Sequence, residues 1–244
     1  MTGGPEPLDR AFSSPHAKAR YARRLFATIA DRYDLITVLL SFGLDRRWKR
    51  RVIDLAAPAA GSRALDLASG TGDLAFALTS RGALSIGLDV THRMLQLARG
   101  KAAGRDMPGS PAFVTGDMCA LPFPSEHFDV VTTGYGLRNV PDLKLAVEEI
   151  YRVLRPGGTM VSLDFNRPDN AVVRAVYLGY LWTVGGVLGW VLHRDPDTYR
   201  YIPASIRRYP GAARVSALMR SEGFREARWI PVLGGLMAIH VARK

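Results

Sequence analysis

The feature that most constrains the fold is an alternation of short strand-like runs and helical patterns between residues 63 and 165. Most of the strand-like runs are almost continuously apolar, which is typical of strands buried on both faces of a parallel sheet. Strands that alternate with helices favour a sheet covered by helices. We therefore predict strands at residues 63–68, 84–90, 112–117, 128–134 and 159–165, with helices at 72–80, 92–103 and 142–154.

The C-terminal part of the chain extends this sheet. A predicted helix at residues 211–222 ends at Gly223, and the runs REARWIPVL and LMAIHVARK follow it. Gly234-Gly235 lies between the two runs, which predicts an antiparallel hairpin. The expected fold is α/β, with a mostly parallel seven-stranded sheet and an antiparallel C-terminal hairpin.

We expect one domain, at residues 16–244, with two helical additions. Residues 1–15 are rich in Pro, Gly and Ser, which predicts a flexible N-terminal tail. Residues 16–58 have the pattern of three helices, broken near Tyr33-Asp34 and Ser41-Phe42-Gly43, and they predict a helical cap. Residues 166–210 form an insertion after the fifth strand, which we interpret as a lid over a substrate.

The insertion contains an uncharged stretch, AVYLGYLWTVGGVLGWVL, at residues 175–192. Its length is at the lower limit for a membrane-spanning helix. A span would separate the fifth strand from the terminal hairpin by a bilayer, although both belong to one sheet. We therefore predict two short helices, broken at Gly185-Gly186, that form an apolar lid with basic flanks able to rest on anionic lipid: Arg174, His193 and Arg194.

The composition limits the possible binding partners and the cellular compartment of the protein. The formal net charge of +11 is compatible with a nucleic acid, an anionic membrane surface or no special partner. Cys119 is the only cysteine, which excludes an intramolecular disulfide and a cysteine-based zinc site. The histidines show no metal-ligand spacing, so we expect no metal. No apolar leader opens the sequence, and we expect a cytoplasmic protein, peripheral at the inner face of the cytoplasmic membrane.

A glycine-rich turn follows the first predicted strand, in the segment LDLASGTGDLA at residues 65–75. Gly70 and Gly72 allow the backbone to turn tightly before a helix whose N-terminus offers unpaired N–H groups. Asp89 ends the second strand, where a carboxylate can accept hydrogen bonds from both hydroxyls of a ribose. This pattern alone also permits NAD.

Three further features favour S-adenosylmethionine over NAD. Asp66 precedes the turn, where a carboxylate can pair with the amino group of a methionine moiety but would repel a pyrophosphate. Asp117 follows the third strand and can accept from the adenine amino group, while Met118 covers the ring. The RVLRPGG segment and the terminal hairpin are similar to the layout of class I methyltransferases, which are Rossmann-like. The alternative for Asp66 is that it only caps backbone N–H groups.

Beyond these generic motifs, the chain resembles the C-methyltransferases of menaquinone and ubiquinone biosynthesis. The resemblance extends from residue 32 to the C-terminus, and GLRNV and SIRRYP are its more specific parts because they lie outside the cofactor motifs. The matching segments are RYDLITVLLSFGLDRRWK (32–49), DLASGTGDLA (66–75), LDVTHRML (88–95), ALPFPSEHFDVVTTGYGLRNVPD (120–142), RVLRPGG (152–158), YRYIPASIRRYP (199–210) and GGLMAIHVARK (234–244).

The resemblance implies that S-adenosylmethionine is the methyl donor and that Thr71, Asp89, Asp117 and Met118 contact it. Gly134 occupies a position where the family often has serine, so this chain lacks that hydroxyl. LDFNRP replaces the more usual LEFSKP, which leaves a carboxylate at Asp164 on a shorter arm.

The resemblance also implies the reaction, transfer of a methyl group to a ring carbon of a polyprenyl quinol. The carbon becomes nucleophilic when a neighbouring hydroxyl loses its proton, so the site needs positioning, a proton acceptor and a stabiliser of phenolate. Arg138 and Asn139 follow the fourth strand, where open α/β sheets present ligand-contacting groups. The remaining candidates are Tyr135 and Asp164 for catalysis, and Tyr201, Arg207 and Tyr209 for the substrate pocket.

Each catalytic candidate has a structural alternative. Arg138 could form an ion pair with a helix carboxylate, Tyr135 could be a packed aromatic, and Asp164 could cap a turn. The menaquinone and ubiquinone precursors stay undecided, with demethylmenaquinone preferred, and a homodimer stays open.

Three other functions compete. Methylation of another small aromatic or polyketide would use the same cofactor motifs. A nucleic-acid methyltransferase is less favoured, because no Asn-Pro-Pro-aromatic motif follows the fourth strand and Cys119 lacks a Pro-Cys context. We therefore expect no nucleic-acid partner. A non-enzymatic membrane-associated scaffold conflicts with the intact cofactor segments.

Overall fold

The computed structural model describes residues 8–105, 107 and 109–244. Seven strands form one sheet in the order β3-β2-β1-β4-β5-β7-β6. The first five strands pair in parallel, and β7 pairs antiparallel with both β5 and β6. This confirms the predicted α/β fold with its terminal hairpin. The strands are β1 (Arg63–Leu67), β2 (Leu84–Asp89), β3 (Ala112–Thr115), β4 (Phe128–Gly134), β5 (Leu154–Phe165), β6 (Glu226–Val232) and β7 (Met237–Arg243).

Helices cover both faces of the sheet and form the two additions. One face packs against α6 and α9, and the other packs against α3 and α4. The helices are α1 (Pro15–Ile29), α2 (Tyr33–Leu40), α3 (Asp45–Ala56), α4 (Asp73–Ser80), α5 (His92–Ala103), α6 (Leu143–Val153), α7 (Ala171–His193), α8 (Asp197–Arg208) and α9 (Ala212–Ser221).

Strand β5 begins five residues before the predicted boundary of residue 159. Leu154 already pairs with Phe128 of β4, and the register then shifts so that Thr159 pairs with Val130. The residues between them form an irregularity in which Gly157 has a φ of 81°. A glycine accepts this left-handed conformation without a steric penalty. Helix α6 therefore ends at Val153, one residue before the predicted end, and the RPGG segment lies inside the strand.

The flexible tail predicted at residues 1–15 is too long at its C-terminal end. Residues 1–7 lie outside the described part of the chain, but Leu8–Phe12 forms a 3-10 helix and α1 begins at Pro15. Leu8 and Ala11 are buried, and the ring of Phe12 stacks on Tyr201 of α8 with centroids 5.6 Å apart. This apolar contact fixes a segment whose composition suggested a tail.

The prediction of two short helices broken at Gly185-Gly186 is wrong. One helix, α7, runs through the whole uncharged stretch. Its glycines allow α8 to pack closely: a Cβ on Gly185 would lie 3.0 Å from the carbonyl oxygen of Tyr199, and one on Gly189 would lie 2.4 Å from that of Asp195. By length and composition, α7 is able to cross a membrane. In its most apolar 18-residue segment, 33% of the residues are buried within this protein.

The topology creates a crevice at the carboxyl ends of β1 and β4. These strands are neighbours, but the chain goes from β1 to β2 on one side and from β4 to β5 on the other. Open α/β sheets bind ligands at such a switch point. Helices α1, α2, α7 and α8 border this crevice.

Candidate active site

The glycine-rich turn after β1 is held by Asp89 at the end of β2. Its carboxylate accepts hydrogen bonds from the backbone N–H of Gly70 at 2.8 Å and of Thr91 at 2.7 Å. Gly72 begins α4 with a φ of 92°, and a Cβ there would lie 2.8 Å from the ring of Phe76. The backbone therefore requires glycine at residue 72, although this residue lines neither of the chambers described below.

Asp66 is buried at the end of β1, with one carboxylate oxygen free. Thr132 Oγ1 donates to Asp66 Oδ1 at 2.9 Å, whereas Oδ2 has no hydrogen-bond partner among the described residues. Burial raises the pKa of Asp66 to about 7. Asp66 and Thr71 line a small cavity beside Lys49, and Thr71 donates to Asp34 at 2.6 Å. An unpaired buried carboxylate suits a cationic ligand group.

A larger cavity, called the cofactor chamber below, extends from Asp89 across the ends of β3 and β4. Asp117 and Met118 lie in its wall, and Met118 is buried. The Asp117 carboxylate also accepts from the N–H of Cys119 at 2.8 Å. The structure thus brings together most of the predicted cofactor residues. The chamber is lined by Gly70, Asp89, Asp117, Met118, Gly134, Tyr135 and Asn139, among others.

A second cavity, called the apolar chamber, adjoins the first. It encloses about 1000 Å³, including its open mouth. Its wall combines residues of the helical cap with residues of α7, α8 and the β6–β7 turn. Phe26, Tyr33 and Tyr135 line both chambers and form the boundary between them. Sequence reasoning missed Phe26 and Tyr33, although the predicted helix break at Tyr33-Asp34 marked the place where the chain turns over the crevice.

Arg138 and Asp164 form a buried ion pair. The guanidinium Nη1 donates to Asp164 Oδ1 at 2.8 Å and to the carbonyl oxygen of Tyr135 at 2.8 Å. Asp164 also accepts from the backbone N–H of Arg138 and of Phe165. Burial raises the pKa of Asp164, and the adjacent Arg138 opposes this rise. Arg138 lines the apolar chamber, whereas Asp164 lines none of the cavities described here.

Tyr135 is fixed by hydrogen bonds from its backbone and from its hydroxyl. Its backbone has a φ of 62°, its N–H donates to the carbonyl oxygen of Leu163 at 2.7 Å, and its hydroxyl donates to Asp45 of α3 at 2.6 Å. Burial, together with the carboxylate of Asp45, raises the pKa of Tyr135 well above 10.0. Its hydroxyl therefore stays protonated. Asn139 donates to the Tyr135 carbonyl oxygen at 2.7 Å and fixes the same turn.

The three predicted substrate residues lie in different places. Tyr201 is buried and lines the apolar chamber. Tyr209 is buried beside a different, polar cavity that also borders Arg138. Arg207 is exposed at the end of α8 and lines neither chamber, so its prediction as a pocket residue does not fit. Among the described residues, no group of three or more His, Cys, Asp or Glu side chains is arranged to hold a metal ion.

Solved structures share this fold. An S-adenosylmethionine-dependent methyltransferase from Aquifex aeolicus aligns over 80% of this chain and 88% of its own, with 15% identity and a TM-score of 0.57. The [4+2]-cyclase SpnF aligns over 82% of this chain and 80% of its own, with 18% identity and a TM-score of 0.56. Because a cyclase shares the fold, the fold alone does not define the reaction.

Relatives found by sequence have a higher identity to this chain than these solved structures. The demethylmenaquinone methyltransferase of Thermus thermophilus is 43% identical over 219 residues, which cover 89% of this chain and 98% of the relative. The ubiquinone/menaquinone biosynthesis C-methyltransferase of Azotobacter vinelandii is 37% identical, with 91% and 89% covered. The profile of the ubiE/COQ5 methyltransferase family matches residues 15–244. This chain therefore belongs to the ubiE/COQ5 methyltransferase family.

Proposed function

We propose that this protein transfers a methyl group from S-adenosylmethionine to a ring carbon of a polyprenyl quinol, with demethylmenaquinol as the preferred acceptor. The observation that supports this proposal most directly is the pair of adjoining chambers, one with acidic residues and one apolar, that meet at Tyr33 and Tyr135. A soluble cofactor and a lipid-tailed acceptor would each find a matching wall, with their reacting atoms at the boundary.

The residues of the cofactor chamber, together with Asp66 in the small cavity beside Lys49, fit S-adenosylmethionine. Asp66 has a free, buried carboxylate oxygen for the amino group, and Asp89 lies at the usual place for ribose recognition. Asp117 and Met118 form the part of the wall that suits an adenine ring. The cofactor supplies a methyl group made electrophilic by its sulfonium.

The acceptor side needs a group that stabilises phenolate. Arg138 lines the apolar chamber, carries a permanent charge and is oriented by Asp164, so its guanidinium can stabilise the developing oxyanion or orient a water molecule. Asp164 already accepts hydrogen bonds from three N–H groups, so we assign it a positioning role rather than that of the proton acceptor. Tyr135 lies at the boundary, where its hydroxyl already donates to Asp45 and its ring can pack against the quinol.

The relatives favour a quinol over another small aromatic. Both sequence relatives described above bear names from quinone biosynthesis, and the relative with 43% identity is named for demethylmenaquinone. The alternative acceptor within the same reaction class is 2-polyprenyl-6-methoxy-1,4-benzoquinol.

A methylation assay tests the proposal. Purified protein is incubated with labelled S-adenosylmethionine and each reduced quinol, and the methylated product is identified by mass spectrometry. We expect product from the wild type and a loss of at least about a hundredfold for Arg138→Met, because the charge that stabilises phenolate is gone. The matched control is Arg81→Met, an exposed arginine paired with Asp54. No methylated quinol from either acceptor would overturn the proposal.

We further propose that the protein is cytoplasmic and docks on an anionic membrane surface with the mouth of the apolar chamber facing the lipid. Phe42, Tyr180 and Leu233 come from three different segments, line this chamber and are exposed. Tyr180 continues into an exposed apolar stripe on α7 formed with Val172, Val176, Val187 and Trp190. Contiguous exposed apolar patches mark interaction sites. The net charge of +11 favours binding to anionic lipid.

Flotation with vesicles tests the docking. We expect binding to phosphatidylglycerol vesicles that weakens with salt, and weak binding to phosphatidylcholine vesicles. Trp190→Asp should reduce binding, whereas Leu84→Asp, equally exposed but at the amino end of β2, should not. Equal flotation of all three proteins would refute this orientation. Light scattering on the same preparations tests for a homodimer.

A further inference from the structure

A polar cavity shares Arg138 with the apolar chamber. Three cationic side chains line it, Lys18 from α1, Arg138 after β4 and Arg208 from α8, together with Ser205 and Tyr209. Among the described residues, Arg138 is the one that borders both this polar cavity and the apolar chamber. The two spaces therefore meet at the side chain that we assign to phenolate stabilisation.

Three buried polar atoms around this junction have no partner in the described protein. They are Arg138 Nε, Tyr201 Oη on the side of the apolar chamber and Tyr209 Oη on the side of the polar cavity. Buried polar groups are normally satisfied, and water does so where several polar atoms converge. Water bound to these atoms would connect the two spaces past Arg138.

Lys18 lines the polar cavity. Its Nζ donates to the carbonyl oxygen of Val140 at 2.6 Å, and its side chain is partly exposed. Burial, reinforced by the positive charge of Arg138, lowers the pKa of Lys18 to about 8. A substantial fraction of this amine is therefore neutral near pH 8 and able to accept a proton. The other titratable groups that face it are Asp164, Cys119, Arg208 and Tyr209.

We propose that Lys18 is the terminal acceptor of the proton that leaves the quinol hydroxyl, reached through water in the polar cavity. The inference rests on the proposed function and makes Lys18 a positioning residue for proton release, since it does not touch the substrate. Asp164 is a weaker acceptor because it already accepts three N–H groups and borders neither space.

The step balances as follows. The O–H bond of the ring hydroxyl breaks, its electron pair stays on oxygen and delocalises into the ring, and the proton passes through water to Lys18 Nζ. The ring carbon then forms a C–C bond with the methyl group while the C–S bond breaks, its electron pair going to sulfur. The proton lost by that ring carbon restores the hydroxyl. Lys18 finally releases its proton to solvent, so one proton leaves per methyl group transferred.

The pH profile of single-turnover methylation tests the assignment. Wild-type protein should show a rate that rises through about pH 8 and then levels off. Lys18→Met lacks the acceptor, and Lys18→Arg keeps the cation but does not lose its proton in this range. Both variants should lose the rise and be slower by at least about tenfold at pH 9. Added methylamine should accelerate Lys18→Met, and Lys144→Met, on an exposed lysine, should behave as the wild type.

The Lys18→Arg variant separates the relay from a structural role. If Lys18 only supplied a charge or a hydrogen bond to Val140, the arginine variant would keep the wild-type profile, and that result would overturn the relay alone. Retention of the inflection by Lys18→Met would do the same. S-adenosylmethionine affinity and melting temperature, measured on each variant, identify a misfolded protein. No methylation by the wild type would overturn the proposed function and the relay with it.

Discussion

At the scale of single residues, the binding role proposed for Asp66 conflicts with the stability of the fold. Its carboxylate is buried, and burial raises its pKa from 3.8 to about 7. Since the folded pKa is raised, the protonated form is the one that folding favours, and stability is lost as pH rises from about 4 to 7. The charged form present above pH 7 is nevertheless the form that an amino group requires.

We therefore predict that Asp66→Asn stabilises the ligand-free protein and that S-adenosylmethionine binding depends on the ionised form of Asp66. At pH 8 the amide should raise the free energy of unfolding of the ligand-free protein by on the order of a few kcal/mol, and at pH 4 by much less. Binding of S-adenosylmethionine to the wild type should weaken up to about tenfold per pH unit below 7. Urea unfolding and calorimetric titration measure the two effects. A pH-independent dissociation constant would contradict this assignment.

For the Arg138–Asp164 pair, we predict that stability and activity respond differently to substitution. Asp164→Asn leaves a buried guanidinium without its counter-ion, so we expect a loss of about 3 to 5 kcal/mol in the free energy of unfolding. The double variant Arg138→Met/Asp164→Leu removes both charges and should recover much of that stability, yet remain inactive. Unfolding curves and the methylation assay, run on the same samples, distinguish these outcomes. Activity in the double variant would show that the pair is only structural.

Sequence reasoning found these residues more readily than their partners. Arg138 and Asp164 were each identified from the sequence, because Arg138 follows β4 and Asp164 lies near the carboxyl end of β5, but their ion pair was not predicted. The partner of Tyr135 was not foreseeable, since Asp45 lies on a helix of the cap whose position over the sheet depends on tertiary packing. The expected helix carboxylate for Arg138 is replaced by a strand carboxylate for the same reason.

At the scale of elements, strands β1 to β5 followed from local patterns, whereas α7 did not. Two adjacent glycines look like a helix break when only neighbours in sequence are considered. In the folded protein, the helix continues and its glycine face receives the backbone of the α7–α8 connection and α8. Close packing over these positions compensates for the low helix propensity of glycine.

Alanine substitutions at two glycines of α7 should have opposite effects on stability. Gly189→Ala places a Cβ 2.4 Å from the carbonyl oxygen of Asp195, which must move, so we expect a destabilisation of about 1 to 3 kcal/mol. Gly179→Ala meets no atom within 4 Å and should stabilise by up to about 1 kcal/mol through helix propensity. Chemical unfolding measures both. Equal effects of the two substitutions would mean that the α7–α8 connection does not pack closely against Gly189.

At the scale of the whole molecule, the apolar stripe of α7 and the mouth of the apolar chamber belong to one surface. The helix is about 35 Å long at 1.5 Å per residue, so the stripe extends well beyond the mouth of the chamber. The cofactor chamber is lined by the charged residues Arg23, Asp89 and Asp117 in addition to apolar ones. This arrangement supports the proposal that the enzyme takes a lipid-tailed acceptor from a membrane and a soluble donor from water.

A substitution at the mouth should therefore affect membrane-bound substrate selectively. Phe42 is 71% exposed and lines the apolar chamber, and moving such a ring into lipid contributes about 2 kcal/mol. For Phe42→Asp we expect a decrease of at least about tenfold in the methylation rate of a long-tailed quinol in anionic vesicles. The rate with a short-tailed quinol in solution should change little, because Phe42 does not line the cofactor chamber.

The matched control is Leu84→Asp, which carries the same new charge at the amino end of β2 and should leave both rates unchanged. High salt should reduce the wild-type rate on vesicles and spare the rate in solution, since only docking depends on the net positive charge. If Phe42→Asp slowed both reactions equally, the defect would lie in the chamber itself. The mouth would then be a substrate entrance without a membrane-facing role.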